Sequence, residues 1–176
     1  MPDDQLLERL GTLMQAVSGD HWEVIEWKIM RGDVGEGKVG VVWDSGQRAE
    51  MDIHLAYYGA PENTAHDIQF IGNSRSDMQR LLLALRGETQ LRTDELASIE
   101  ARCHAATPAP WKWFLGSWAI GGPAFIQMDE ENEADRELYP ELWGKEAPDA
   151  DIEFIARARN HLPDLVALYR EKFEIR

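Results

Sequence analysis

Two arginines sit where the surrounding pattern asks for apolar side chains. Between residues 67 and 86, Ile68, Ile71, Met78, Leu82 and Leu85 recur at helical spacing, and Arg75 falls on the same stripe. Between residues 151 and 172 the stripe is Ile152, Ile155, Leu162, Val166 and Tyr169, and Arg159 falls on it. A guanidinium on a buried stripe must have its donors satisfied, because an unpaired buried charge is costly. Two arrangements do that. In the first the arginines are structural and reach Asp67, Asp151, a sheet carboxylate or backbone carbonyls. In the second, Arg75 and Arg159 face a groove and grip an anionic ligand, since the planar fork suits phosphate or carboxylate. Trp22 and Trp111 stand at matching places where a helix hands over to a strand. They read as core aromatics, or as stacking partners for a ligand. Asp67 and Asp151 start the two arginine-bearing segments and read most simply as helix N-caps. The candidate ligand-binding set is therefore Arg75, Arg159, Trp22, Trp111, Asp67 and Asp151.

Catalytic patterns are weaker. His21, His54, His66, His104 and His161 show no metal-ligand spacing, and Cys103 is the only cysteine. Cys103 and His104 are neighbours on one helix, so they point apart rather than forming a nucleophile and its base. Gly35-x-Gly37 lacks the rest of a phosphate fingerprint and reads as a turn signal. The acidic run from Asp129 to Glu137 reads as a solvated loop and lacks calcium-loop spacing. The expectation is a non-enzymatic protein without metal or cofactor.

The elements that must position these residues follow from periodicity. Leu6, Leu7, Leu10, Leu13, Met14 and Val17 make an amphipathic helix over 3–17. Strands are expected over 22–30, 38–43 and 48–58. In the third, Met51, Ile53, Leu55 and Tyr57 alternate with Asp52 and His54. A helix over 67–86 closes at Gly87. A further helix follows with Thr93 or Asp94 as its cap, and Pro108 and Pro110 force an extended entry into Trp111. Short strands are expected over 111–114, 118–120 and 124–128. Residues 129–150 read as an acidic surface loop anchored by Leu142-Trp143, and a last helix runs over 151–172.

The order helix, tryptophan, variable middle, helix occurs twice. Asp67-Ile68-Gln69-Phe70-Ile71 in the first half matches Asp151-Ile152-Glu153-Phe154-Ile155 in the second. Such self-similarity implies a duplicated scaffold with units 1–88 and 89–176 and a pseudo-twofold relation. Strands grouped between helices imply an α+β fold, with one joined sheet and helices on one face. Each half alone has little core to bury, so the two units are expected to form one domain.

Ala106-Thr107-Pro108-Ala109-Pro110-Trp111 followed by the helix Asp151 to Arg159 resembles the ead-like family of small phage and prophage proteins. That family's pattern has glycine where Ala109 stands. The first half keeps Trp22, Asp67, Phe70, Ile71 and Arg75, with Ser18-Gly19-Asp20-His21 in place of the proline motif. The resemblance implies a phage or prophage origin and carries no catalytic residue over.

The 176 residues bear a net charge of −14 and are 44% apolar. This balance argues against nonspecific nucleic-acid binding and against docking on an anionic membrane. It favours a basic protein partner through electrostatic steering. No apolar run approaches a membrane span, and the acidic Met1-Pro2-Asp3-Asp4 start has no signal-peptide core, so a cytoplasmic location in a host cell is expected. Two functions remain. One is sequestration of a small anionic, nucleotide-like signal that serves host defence. The other is an acidic inhibitor, anti-CRISPR or DNA-mimic in kind, that docks on a basic nucleic-acid-binding effector. A homodimer is compatible with either.

Overall fold

The computed structural model describes residues 4–29, 34–57, 62–115, 123–128, 136–142 and 145–174. The chain begins with helix α1 (Asp4–Ala16), then strands β1 (His21–Ile29), β2 (Val34–Val42) and β3 (Arg48–Tyr57). Helices α2 (Glu62–Leu85) and α3 (Thr93–Ala105) follow. The second half adds β4 (Lys112–Phe114), β5 (Phe125–Gln127), β6 (Arg136–Leu142), β7 (Lys145–Glu146) and helix α4 (Asp149–Lys172). All strands join one antiparallel sheet of order β1-β2-β3-β6-β5-β4, with β7 beside β6. The α+β class with a joined sheet is therefore present. The two halves of the chain meet at β3 and β6, where Ile53 faces Pro140 and Leu55 faces Leu138.

Alternation decides which sheet face is buried. Val39, Val41, Met51, Ile53, Ile126 and Leu138 point inward and are almost wholly buried. They share one core with Ile68, Phe70 and Ile71 of α2 and Ile152, Phe154 and Ile155 of α4. Both arginine-bearing helices thus lie on the same side. Helix α2 crosses β2 very closely: a Cβ on Gly37 would stand 2.4 Å from Ile68 Cδ1. The glycine expected to make a turn is a strand residue that lets the helix approach. Gly87 does take the left-handed conformation, φ 80°. Its amide donates to Ala84 O and that of Glu88 to Leu83 O, which satisfies the last carbonyls of α2.

Three further expectations are corrected. Helix α2 starts at Glu62, five residues before Asp67, so Asp67 lies inside the helix. Helix α3 is capped at Arg92, whose amide donates to Glu95 Oε2, rather than at Thr93 or Asp94. The expected loop over 129–150 contains β6 and β7 and the start of α4. Leu138 and Leu142 face the core and Glu137, Tyr139 and Glu141 alternate with them, a period of two that fits residues 136–142 to the middle of the sheet. Residues 129–135, Trp143 and the strand expected over 118–120 lie outside the described residues. Among the described residues no helix is long and apolar enough to cross a membrane.

Candidate functional site

The six candidate residues gather into two matching clusters on the buried side. In one, Asp67 of α2 reaches the end of α3: its carboxylate accepts from the Thr107 amide and the Thr107 hydroxyl, both at 2.7 Å. Arg159 of α4 donates to Thr107 O at 2.7 Å and to Ala106 O at 3.4 Å. Trp111 Nε1 donates to Thr107 O, and its ring meets Phe70 edge to face at 5.9 Å. In the other, Asp151 of α4 accepts from the Ser18 amide at 2.7 Å just past α1. Arg75 of α2 donates to Met14 O at 2.9 Å, Trp22 Nε1 to Ser18 O, and the Trp22 ring meets Phe154 at 5.4 Å.

Each cluster draws on both halves of the chain. The aspartate and phenylalanine come from one half's long helix, and the tryptophan and arginine from the other half. Neither aspartate is a helix N-cap, because α2 starts at Glu62 and α4 is preceded by Pro148. Each instead ties down the chain leaving the opposite half's first helix. The arginines satisfy carbonyls at the C-terminal ends of α1 and α3, where a cation also meets the negative end of the helix dipole. Of the arrangements open at the outset, backbone carbonyls are the ones the arginine donors reach. The two arginines serve different helix ends and do not converge on one groove.

Burial shapes the charges here. Desolvation lowers the Arg75 pKa, and the carboxylates of Asp20 and Asp151 oppose it. Burial pushes the Asp151 carboxyl up, against the Ser18 amide and hydroxyl and the Arg75 charge. An acid whose folded pKa is raised takes up protons on folding. Its contribution to stability therefore declines as pH rises from about 4 through the raised value. The Asp151→Asn variant should accordingly lose more stability relative to wild type near pH 4 than at neutral pH. Denaturant midpoints across that range measure this, and a loss that grows with pH would reverse the assignment.

A cleft of about 950 Å³ opens beside the Ser18 cluster, lined by Met14, Asp20, Trp43, Arg75, Gln79 and Arg86 among others. Of the six candidates only Arg75 lines it. The C-terminal ends of α1 and α2 supply part of its wall, so their dipoles disfavour an anion there. Asp20 adds a carboxylate, held by the Asp44 amide at 2.6 Å.

The face of the sheet turned away from the helices has a different chemistry. Glu23 and Glu26 from β1, Glu50 and Asp52 from β3, and Glu137 and Glu141 from β6 share it by register. Lys38 sits among them, 3.1 Å from Glu50, 3.9 Å from Asp52 and 4.0 Å from Glu26. The Glu50 hydrogen bond and the surrounding carboxylates raise the lysine's pKa. Arg48 meets Glu23 at 3.3 Å and His54 lies 3.8 Å from Glu141. Toward β4 the face becomes aromatic. Phe114 stacks on Phe125 with centroids 4.8 Å apart, and Phe125 meets Tyr139 at 5.9 Å. The Tyr139 hydroxyl bonds Glu137, and burial together with that carboxylate pushes its pKa up to about 12.

Sequence reasoning missed this row because its members come from three strands. It also missed Asn160, which accepts from the Trp111 amide at 2.7 Å and donates to the Trp111 carbonyl at 2.8 Å, pairing α4 to the chain as a strand would. Comparison with known protein families, curated proteins and solved structures finds no match for this chain.

Proposed function

We propose that this chain is a non-enzymatic binding protein of phage or prophage type, a fused pair of equivalent halves. It counters a host defence by docking its acidic sheet face on a basic, nucleic-acid-binding effector. The duplication is supported by the reciprocal clusters at Thr107 and Ser18 and by a strand order that reads β1-β2-β3 and then β6-β5-β4. The observation that carries the function is the outer face, where Glu26, Glu50 and Asp52 surround Lys38, Glu23 meets Arg48, and Glu137 and Glu141 extend the acidic row onto β6. Glu137 and Glu141, which would cost little in a solvated loop, are instead built into the centre of the sheet on β6. Rigid strands hold the charges at fixed spacing, which favours specific engagement of a cationic surface over loose attraction.

A small anionic signal has less support. Arg75 Nη1 and Arg159 Nε and Nη2 bond the Met14, Thr107 and Ala106 carbonyls, which leaves Arg75 Nε unpaired, and the cleft beside Arg75 sets Asp20, Asp44 and two helix C-termini against Arg75 and Arg86.

Binding of a fluorescent oligo-lysine peptide tests the acidic face. The triple variant Glu50→Gln, Asp52→Asn, Glu141→Gln should lose about tenfold or more in affinity at low salt, about 1.4 kcal/mol. A control with the exposed Glu8, Glu88 and Glu171 changed to Gln removes the same charge elsewhere and should bind nearly as wild type. Equal losses in the two variants would mean that net charge alone attracts the peptide and that the face has no special part.

A further inference from the structure

The acidic face ends in an aromatic row whose outer member, Phe114, is exposed. Phe114 is 43% exposed and Leu115 beside it 45% exposed, both at the β4 edge of the sheet. One side of the Phe114 ring lies on Phe125, at 4.8 Å and 15° between planes. The other side is turned away from the stack. Tyr139 continues the row on β6, and Glu137 and Glu141 flank it on the same strand and the same face. Phe125 and Tyr139 are half-buried, so Phe114, with Leu115 beside it, is the exposed apolar end of the row.

We infer that this edge receives arginine side chains of the basic partner in preference to lysine. The inference rests on the acidic-face reading and specifies the chemistry of its partner. A guanidinium is planar and weakly hydrated, so it lies flat on a ring while its fork donates to a nearby carboxylate. An ammonium is a compact, strongly hydrated point charge and gains less from the rings. The face therefore divides its work: the carboxylates of β3 and β1 attract any cation, and the row from Phe114 on β4 through Phe125 to Tyr139 on β6, where Glu137 and Glu141 flank the ring, discriminates. A nucleic acid would also stack on aromatics, but its phosphates are repelled by the same carboxylates.

Oligo-arginine and oligo-lysine peptides of equal length, titrated against the full chain at matched salt, test this. Wild type should bind the arginine peptide about tenfold more tightly. Phe114→Ser, at an exposed position, should bring arginine affinity down to the lysine level and leave lysine affinity unchanged, with an unaltered melting curve. Tyr139→Phe keeps the ring and should keep the preference. Equal binding of both peptides by wild type, or a preference that survives Phe114→Ser, overturns the arginine site and leaves the acidic face standing. Binding of neither peptide overturns both. Sedimentation of the free chain supplies a further check: a dimer that Phe114→Ser dissolves would assign the row to a second copy of this chain instead.

Discussion

Replacing Asp67 by alanine is expected to cost about 3–5 kcal/mol of folding stability. The carboxylate is wholly buried and accepts from two groups of Thr107, the amide and the hydroxyl. Alanine removes both acceptors at once and leaves the amide in a site that water does not reach. It also removes a countercharge of Arg159, a 5% exposed guanidinium whose pKa burial lowers and whose charged form Asp67 favours. For a chain of this length the loss corresponds to a fall in Tm of roughly 10 °C or more. Asp67→Asn separates shape from charge. The amide oxygen still accepts from Thr107 N, and the Thr107 hydroxyl turns to accept, so the expected loss is about half. Thermal unfolding of both variants measures this. An alanine variant within about 0.5 kcal/mol of wild type would show that the cluster does not hold the halves together. Asp151→Ala should cost less than Asp67→Ala, because both Asp67 oxygens accept from Thr107 whereas Asp151 Oδ1 accepts from the Ser18 amide and Oδ2 is buried without a hydrogen-bond partner.

The contrast between the two aspartates explains what the amino-acid sequence could and could not show. Helical stripes are local, so α1, α2 and α4 were legible from Leu10, Ile68, Ile71, Ile152 and Ile155 with errors only at the ends. The alternation of Met51 and Ile53 with Asp52 and His54 likewise marked β3. The arginines on the stripes were conspicuous for the right physical reason, a buried charge that needs partners. Which partners they have is set by tertiary contacts, and Thr107 lies 40 residues from Asp67 while Ser18 lies 133 from Asp151. Local logic offered the N-cap, and the real bonds run between halves. Strand β6 failed for a related reason. Its Leu138 and Leu142 alternate correctly, but Pro140 and the neighbouring acids argue against a central strand when read alone. Pairing with β3 on one side, and with β5 and β7 on the other, overrides that preference. The outer face, with its carboxylates and its Phe114-Phe125-Tyr139 row, exists only once the register is set.

The tryptophans give the second large effect. Trp111→Ala is expected to destabilise the fold by about 3–5 kcal/mol, and Trp22→Ala by a similar amount. Trp111 is fully buried against Phe70 and Trp22 is 3% exposed against Phe154. Each ring packs at the base of a cluster, so truncation leaves a cavity beneath a polar network and loosens the arginine and aspartate contacts with it. Each indole also donates to the carbonyl that precedes it by four residues, Ser18 or Thr107. Trp111→Phe keeps most of the packing and loses that bond, so its cost should be near 1 kcal/mol plus the volume lost. Because Trp111 and Asp67 share Thr107, their losses are coupled. The double variant Trp111→Phe with Asp67→Asn should fall short of the sum of the single losses by about 0.5 kcal/mol or more. Trp22→Phe combined with Asp67→Asn joins separate clusters and should be additive within about 0.5 kcal/mol. A double-mutant cycle on unfolding free energies distinguishes the two pairs. Equal coupling in both would mean that the clusters act as one network running through the packed α2 and α4, rather than as two separate ties between the halves.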